Sequence, residues 1–472
     1  MKDITYSTRV YAIETRKNTD GKVTSYRVAW RTGVRTWKRS FKNIAQADTF
    51  RGTLLTAARG GEAFSLLTGE PISWKRTEAP VMGWYEFACK FADMKWKGAS
   101  AKYRQDIARA LTAATPALLT GQRGKPDDLV LRTAVRRWGF NKKQRDEAPE
   151  EMAAALRWLA NNSQPVSALA DNPTLMRSVL DTATSRLDGK RAATSTVLRT
   201  KTILQNALDY AVELKLLPTN PIKGLKWKPP KSTYEVDSRS VVNHTQARAL
   251  LAAVKAQKPS GERLVAFFAL MYYAALRPEE AINLRDYNIN LPPLLLDGKS
   301  GQMMEPTEEW GELRLTKAAP FAGREWTDDG TLREERALKH RADGHSRHVP
   351  IPPALATILR AHLAASYGKN PGGHLFRGTR GGELPDITYR RVWARARTDA
   401  LTTKEAASPL AKRVYDLRHA CVSTWLNAGV PATQVAAWAG HSVEVLLRIY
   451  AKCVAGQDEA AKRRILTALQ QD

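Results

Sequence analysis

The chain has 472 residues, 43% apolar and 26% charged, the composition of a folded protein of about two to four domains rather than a disordered one. Lysine and arginine total 74 against 47 aspartate and glutamate, a net charge of +27. That excess excludes an acidic, solvating protein and points to a polyanionic partner: DNA, RNA or an anionic membrane surface. The longest apolar run, Leu264–Leu276, has 13 residues, short of the roughly 20 that a membrane span needs. Met1–Tyr6 holds no apolar stretch of signal-peptide length. Three scattered cysteines, Cys89, Cys421 and Cys453, argue against a disulfide framework and a cysteine-rich zinc site. A reducing, cytoplasmic location follows as an expectation, with nucleic acid the leading partner and no membrane.

Residues 1–75 read as a small basic module, with 14 Lys and Arg against 6 Asp and Glu. Strands are predicted at Val10–Ile13, Tyr26–Trp30 and Trp37–Phe41, the first two separated by a turn at Asn18-Thr19-Asp20-Gly21. A helix is predicted from Ala45 to about Arg59. Arg27, Arg31, Arg35, Lys38 and Arg39 would then suit a sheet laid on a DNA groove. Residues 82–228 read as all-helical, with Trp84, Phe87, Ala88 and Phe91 at helical spacing. Ile203, Leu204, Ala207, Leu208, Ala211 and Val212 repeat that pattern. Such stripes are core, while Arg104, Arg132, Arg136, Arg137, Arg191, Arg199 and Lys201 punctuate the polar faces. The Pro- and Lys-rich segment 229–240 reads as a linker. From 241 to 472 the pattern is mostly helical, beginning with helices at Thr245–Val254 and Glu262–Leu276. The fold class expected is multidomain α+β: a small three-stranded sheet plus helix, an all-α domain, and a mostly α domain with a small antiparallel sheet.

Chemistry concentrates in this last half. Ala274-Ala275-Leu276-Arg277-Pro278-Glu279-Glu280 ends one helix and begins another, with Pro278 suited to the first turn. Val414-Tyr415-Asp416-Leu417-Arg418-His419 opens a helix that Ala428-Gly429-Val430-Pro431 stops. Gly440-His441 closes the next, and Tyr450 follows nine residues later. These boxes, in this order and spacing, resemble the tyrosine recombinase (phage integrase) family over residues from about 240 to the end. The family's marks are an arginine in Leu-Arg-x-x-Glu, a His-x-x-Arg box, a Gly-His, and a tyrosine about nine residues on. This sequence departs at one position: Tyr415 stands where the family has histidine. A tyrosine hydroxyl donates a hydrogen bond to a phosphate but is a poor base, with an ordinary pKa near 10.

The resemblance implies the following roles. Arg277 and Arg418 clamp the nonbridging oxygens of a scissile phosphate with always-charged forks. His441 hydrogen-bonds the phosphate, and Tyr415 replaces the family histidine. Tyr450 is the nucleophile, forming a covalent 3′-phosphotyrosine and releasing a 5′-hydroxyl. A hairpin lysine protonates that leaving oxygen. Lys339 is the first choice, on an expected hairpin of Leu338–Arg341 with Ser346–Ile351 turning at Ala342-Asp343-Gly344-His345. Lys317 is the alternative, and residues 318–337 would be an insertion between strands. No cofactor is implied: the phosphotyrosine stores the energy of the broken bond, and no Walker-type loop is present. His340, His345 and His348 cluster without a cysteine pair and are not read as a metal site. The C-terminal stretch Asp458–Leu469 is predicted to be a short helix, which in the family often docks on a neighbouring protomer.

The domains implied are an arm-type DNA-binding domain at 1–75, a core-type DNA-binding domain at 82–228, and a catalytic domain at 241–472. The activity implied is site-specific recombination that integrates a phage or mobile element in a bacterial host, with excision as a further activity. The partners implied are double-stranded attachment sites, a homotetramer on DNA, and an accessory bending or excision factor. Alternatives are a resolvase, a type IB topoisomerase-like enzyme, and a catalytically silent DNA-binding protein on the same scaffold.

Overall fold

A computed structural model describes residues 4–74, 82–230, 235–298, 300–339, 344–365, 372–450 and 458–470. The chain opens with β1 (Ile4–Thr5), β2 (Thr8–Val10), β3 (Glu14–Lys17), β4 (Val23–Thr32), β5 (Arg35–Phe41), α1 (Ile44–Arg59) and β6 (Phe64–Ser65). Six helices follow: α2 (Trp84–Trp96), α3 (Ala101–Ala114), α4 (Asp128–Ala134), α5 (Glu150–Asn161), α6 (Pro173–Thr184) and α7 (Thr194–Glu213). Next come α8 (His244–Lys255), α9 (Gly261–Tyr273) and α10 (Pro278–Ile282). Seven short strands come after these: β7 (Ile289–Asn290), β8 (Leu295–Leu296), β9 (Met303–Met304), β10 (Gly311–Leu315), β11 (Lys317–Ala318), β12 (Arg336–Ala337) and β13 (Arg347–Ile351). The described elements after these are helices: α11 (Pro353–Ala364), α12 (Asp386–Ala400), α13 (Thr403–Ala407), α14 (Asp416–Asn427), α15 (Ala432–Ala439), α16 (Val443–Tyr450) and α17 (Asp458–Leu469). The layout is multidomain α+β, as the sequence predicts. No helix among the described residues is long and apolar enough to cross a membrane.

Contacts divide the chain into two compact units. The first comprises Met1–Phe87, Asn162–Ser178 and Gln205–Leu225; the second comprises Ala88–Asn161, Val179–Leu204 and Lys226–Asp472.

In the first unit, β4 is the central strand of an antiparallel sheet. It pairs with β5 along one edge and with β2 and then β3 along the other. The expected strand Val10–Ile13 is therefore broken in two. Val10 and Ile13 both pack on the core formed by Val28, Trp30, Ala47, Leu54 and Phe64. Residues three apart in a continuous strand point to opposite faces, so both reach the core only if the strand breaks between them. Asn43 caps α1 by accepting a hydrogen bond from the Ala45 amide at 2.7 Å.

The same alternation sorts the basic residues. Val28 and Trp30 face α1, so Arg27 and Arg31 face away from it. The register sets Arg9 opposite Arg31, Lys38 opposite Ala29 and Arg16 opposite Ser25, all on that same outer face. Arg35 and Arg39, expected beside them, lie on the opposite face, over the rings of Trp37 and Phe50 at 4.2 and 4.9 Å.

The second unit is built around α9, which is buried on almost every side. Its Phe267 and Phe268 pack against Phe376, Tyr389 and Trp393. This accounts for the apolar run at Leu264–Leu276. The helix nevertheless stops at Tyr273, three residues before the predicted end, and Ala275 turns into the left-handed region at φ +51°. That turn aims the Ala275 carbonyl at Arg418.

A three-stranded antiparallel sheet, ordered β13-β10-β7, lies beside the helices. Here the expected hairpin is corrected. The described partner of β13 is β10, with buried Leu313 opposite buried Val349, and Leu338 and Lys339 lie in no strand. Residues 340–343, which carry His340 and the first half of the expected turn, lie outside the described residues. β11 pairs with β12, and residues 319–335 loop out between them. This insertion is anchored on the helices of the same unit. Arg104, buried on α3, forks onto the Asp328 carboxylate at 2.8 and 3.0 Å and onto the Trp326 carbonyl at 3.0 Å. The Asn141 side chain donates to the Glu325 carbonyl, and Trp326 packs against Trp96.

Candidate active site

One buried carboxylate organises the site. Glu280, in the first turn of α10, accepts from the Arg277 backbone amide at 2.8 Å and from its guanidinium at 2.7 Å. Arg347, from β13, forks onto both Glu280 oxygens at 2.8 and 2.7 Å. Arg418, on α14, approaches to 4.0 Å. Burial works against the Glu280 charge. Arg347, Arg277 and Arg418 outweigh it and hold the carboxyl far below the usual range. Three guanidinium groups thus face one carboxylate in a desolvated pocket. Burial pushes the carboxyl of neighbouring Glu279 upward, against the pull of Arg277 and Arg418.

Arg418 is fully buried. It donates to the Ala275 carbonyl, to the Ala439 carbonyl at 2.6 Å, and to Nε2 of His441 at 2.8 Å. A guanidinium only donates, so Nε2 of His441 is the acceptor and its proton sits on Nδ1. Among the described residues, that Nδ1 and Nε of Arg418 are buried without a hydrogen-bond partner. The site therefore holds spare donors around a surplus of positive charge, which is what an anion requires.

Gly440 closes α15 in the left-handed region at φ +67°, and its carbonyl accepts from Arg277 at 2.9 Å. A Cβ there would sit 2.4 Å from the Arg347 guanidinium. Gly440→Ala is expected to destabilise the protein by about 2 kcal/mol or more, through strain and displacement of Arg347. A urea unfolding midpoint checks this.

Tyr450, at the end of α16, is 1% exposed and packs with Ala275, Cys421, Val422 and Leu446. Its hydroxyl is 2.8 Å from Nδ1 of His419 on α14. The His441 ring lies 6.2 Å from the Tyr450 ring. Tyr415 is half-buried, and the Arg418 guanidinium lies 5.8 Å from its ring centre. The structure thus brings together Arg277, Tyr415, Arg418, His441 and Tyr450.

Lys339 stands apart from this cluster and is exposed. It lines a cavity of about 1000 Å³ together with Lys317, Glu279 and, from α3, Lys102. A second cavity, of about 670 Å³, shares Lys102 and Glu279 and reaches Tyr415. Lys317, which opens β11, also shares a small pocket with Glu280 and lies 3.5 Å from Glu335. Among the described residues no group of three or more His, Cys, Asp or Glu is placed to hold a metal ion.

Both imidazoles are held below the ordinary histidine value. Burial, then Arg413 and Arg418, lower His419 to about 4; burial, then Arg418, Arg277 and Arg347, lower His441 to about 3. Protonation below the unfolded value, near 6.5, therefore favours the unfolded chain. Stability is expected to fall as pH drops from about 6.5 through 4, and a His419→Gln/His441→Gln double variant should flatten that fall. Thermal unfolding across pH measures both.

Sequence reasoning assigned no role to Glu280, Arg347 or His419. Arg347 carried a signal: it alternates with Val349 and Ile351 and so points inward, where an arginine needs a carboxylate. His419 carried only its place one residue after Arg418.

No family model matches the chain, nor does any curated protein. Among solved structures the chain is similar to the Tn1549 transposon integrase in complex with transposon right end DNA. That pair shares 14% identity, covering 72% of this chain and 99% of that one, at a TM-score of 0.46. It is similar to the XerH site-specific recombinase bound to palindromic difH substrate, at 11% identity, coverage of 80% and 95%, and a TM-score of 0.47. It is also similar to a lambda integrase dimer bound to a core site, at 12% identity, coverage of 91% of each chain, and a TM-score of 0.42. At these values the likeness carries no weight by itself, and the functional reading stands on the side-chain geometry.

Proposed function

We propose that this chain is a site-specific DNA recombinase of the tyrosine recombinase type, cutting and rejoining DNA through a covalent 3′-phosphotyrosine. The observation that carries the reading is the buried cluster of Arg277, Arg347 and Arg418 around a single carboxylate. Beside it stand the His441 Nδ1–H, which has no partner among the described residues, and the Tyr450 phenol. A phosphodiester under attack gains negative charge on its nonbridging oxygens, and fixed donors stabilise that charge without reorganising. Arg277 and Arg418 supply forks, and His441 supplies Nδ1–H. Tyr450 supplies the nucleophilic oxygen. A lysine protonates the leaving 5′-oxygen. Lys339 is the residue proposed from sequence; the β10–β13 pairing and the pocket shared with Glu280 favour Lys317.

On this reading the basic outer face of the N-terminal sheet, within 1–75, binds arm-type DNA. The helical residues 82–228 bind core-type DNA, and residues 241–472 form the catalytic domain. The enzyme works as a homotetramer on double-stranded attachment sites of a phage or mobile element in a bacterial cytoplasm, with an accessory DNA-bending or excision factor. One observation favours a second reading, a catalytically silent DNA-binding protein: the Tyr450 hydroxyl is buried rather than open to a substrate.

The two readings separate in one assay. The protein is incubated in chelator with nicked duplexes tiled across the DNA flanking its gene, then run on a denaturing gel. An adduct formed by the wild type and lost in Tyr450→Phe supports the recombinase. DNA binding without an adduct on any duplex supports the silent protein.

A further inference from the structure

We propose that His419 is a catalytic residue, the base that takes the proton from the Tyr450 hydroxyl as that oxygen attacks phosphorus. The proposal rests on the reading of Tyr450 as nucleophile.

The position that the resemblance gives to a histidine is Tyr415 here, and a phenol is a poor base at neutral pH. An imidazole is present one helical turn further along α14. Residues four apart share a helix face, and the His419 ring sits edge-on to Tyr415 at 5.1 Å. From there Nδ1 of His419 lies 2.8 Å from the Tyr450 oxygen, within reach for direct proton transfer. The other imidazole near Tyr450, that of His441, has its Nε2 occupied by the Arg418 guanidinium and its Nδ1 protonated. His419 is thus the imidazole with a nitrogen on the phenol.

The surrounding charges suit this role. His419 faces Arg413 and Arg418 from its own stretch of chain, Tyr415 on the same face, Tyr450 from α16 and His441 from the turn before α16. Burial and the two arginines keep the ring neutral at pH 7, so it is free to accept. A phosphate seated on Arg277 and Arg418 brings negative charge beside those arginines. It raises the proton affinity of His419 at the moment Tyr450 gives its proton up. In the step, the Tyr450 O–H bond breaks and its proton goes to Nδ1 of His419. The oxygen's electron pair forms the bond to phosphorus. The bond from phosphorus to the 5′-oxygen breaks, and that oxygen takes a proton from a lysine ammonium. On rejoining, the imidazolium returns its proton to the phenol.

The test uses full-length protein and two measurements. The first is the rate of adduct formation on the nicked duplex that the wild type cleaves, across pH 5 to 9. His419→Gln keeps a hydrogen-bond acceptor but cannot take a proton. It should lose on the order of a hundredfold or more, with an unchanged unfolding midpoint at pH 8, where the imidazole is neutral in both folded and unfolded chain. His419→Ala should lose as much and recover part of its rate in added imidazole. The second is the ring ¹⁵N spectrum of histidine-labelled protein without DNA. Nδ1 of His419 should be unprotonated, and its resonance should move in Tyr450→Phe. A wild-type rate in His419→Gln, no imidazole rescue in His419→Ala, or a protonated Nδ1 overturns the proposal while the recombinase reading stands. No adduct from the wild type on any duplex overturns both.

Discussion

Replacing Arg418 with lysine is expected to lower the rate of adduct formation by about a hundredfold to a thousandfold, the scale of losing one fixed transition-state donor. The Arg418 guanidinium is fully buried and reaches the carbonyls of Ala275 and Ala439 and the ring of His441 at once. An ammonium is a point charge on a flexible stem and cannot hold that planar fork. Two consequences follow together. The His441 ring loses the donor that fixes its tautomer, so its proton is no longer held on Nδ1. Two buried carbonyls lose a partner, at about 1–3 kcal/mol each. Single-turnover cleavage measured at a temperature well below the variant's own unfolding midpoint separates the chemical loss from the stability loss.

Glu280→Gln should have the largest effect on stability. Glu280 is 2% exposed and binds Arg277 and Arg347 through four hydrogen bonds. Removing one member of a buried ionic cluster leaves the others uncompensated, which costs about 3–5 kcal/mol. Three guanidinium groups would then face one another without a counter-charge. A urea unfolding midpoint should fall accordingly, and covalent activity should fall with it because Arg277 loses its anchor. A replacement at exposed Glu444, on α16, should change neither.

Much of this site was legible because its members sit at helix ends, where short motifs mark the chain. Arg277 precedes Pro278, Arg418 lies in the first turn of α14, and Gly440-His441 follows α15. The glycine is required twice over, by its left-handed φ and by the closeness of Arg347. The Glu280–Arg347 pairing was not legible, since 67 residues separate the two. The contact between His419 and Tyr450 depends on how α14 and α16 are rotated against each other, which no local pattern encodes.

The partner of β13 was misjudged for a physical reason. The turn signals at Ala342–His345 favour a local hairpin, whereas the true partner lies on the far side of the insertion. Burial decides it: Leu313 and Leu315 supply the apolar side chains that Val349 and Ile351 need, and exposed Lys339 does not. The N-terminal sheet shows the same limit. Strand positions were legible, but which arginines share a face required the register.

The central claim is that Tyr450 forms a covalent bond to DNA. The most direct measurement is mass spectrometry of the adduct after exhaustive nuclease and protease digestion. The account predicts a nucleotide joined through its 3′-phosphate to the peptide containing Tyr450. A nucleotide attached to any other residue, or none attached under conditions where the DNA is cut, would contradict it.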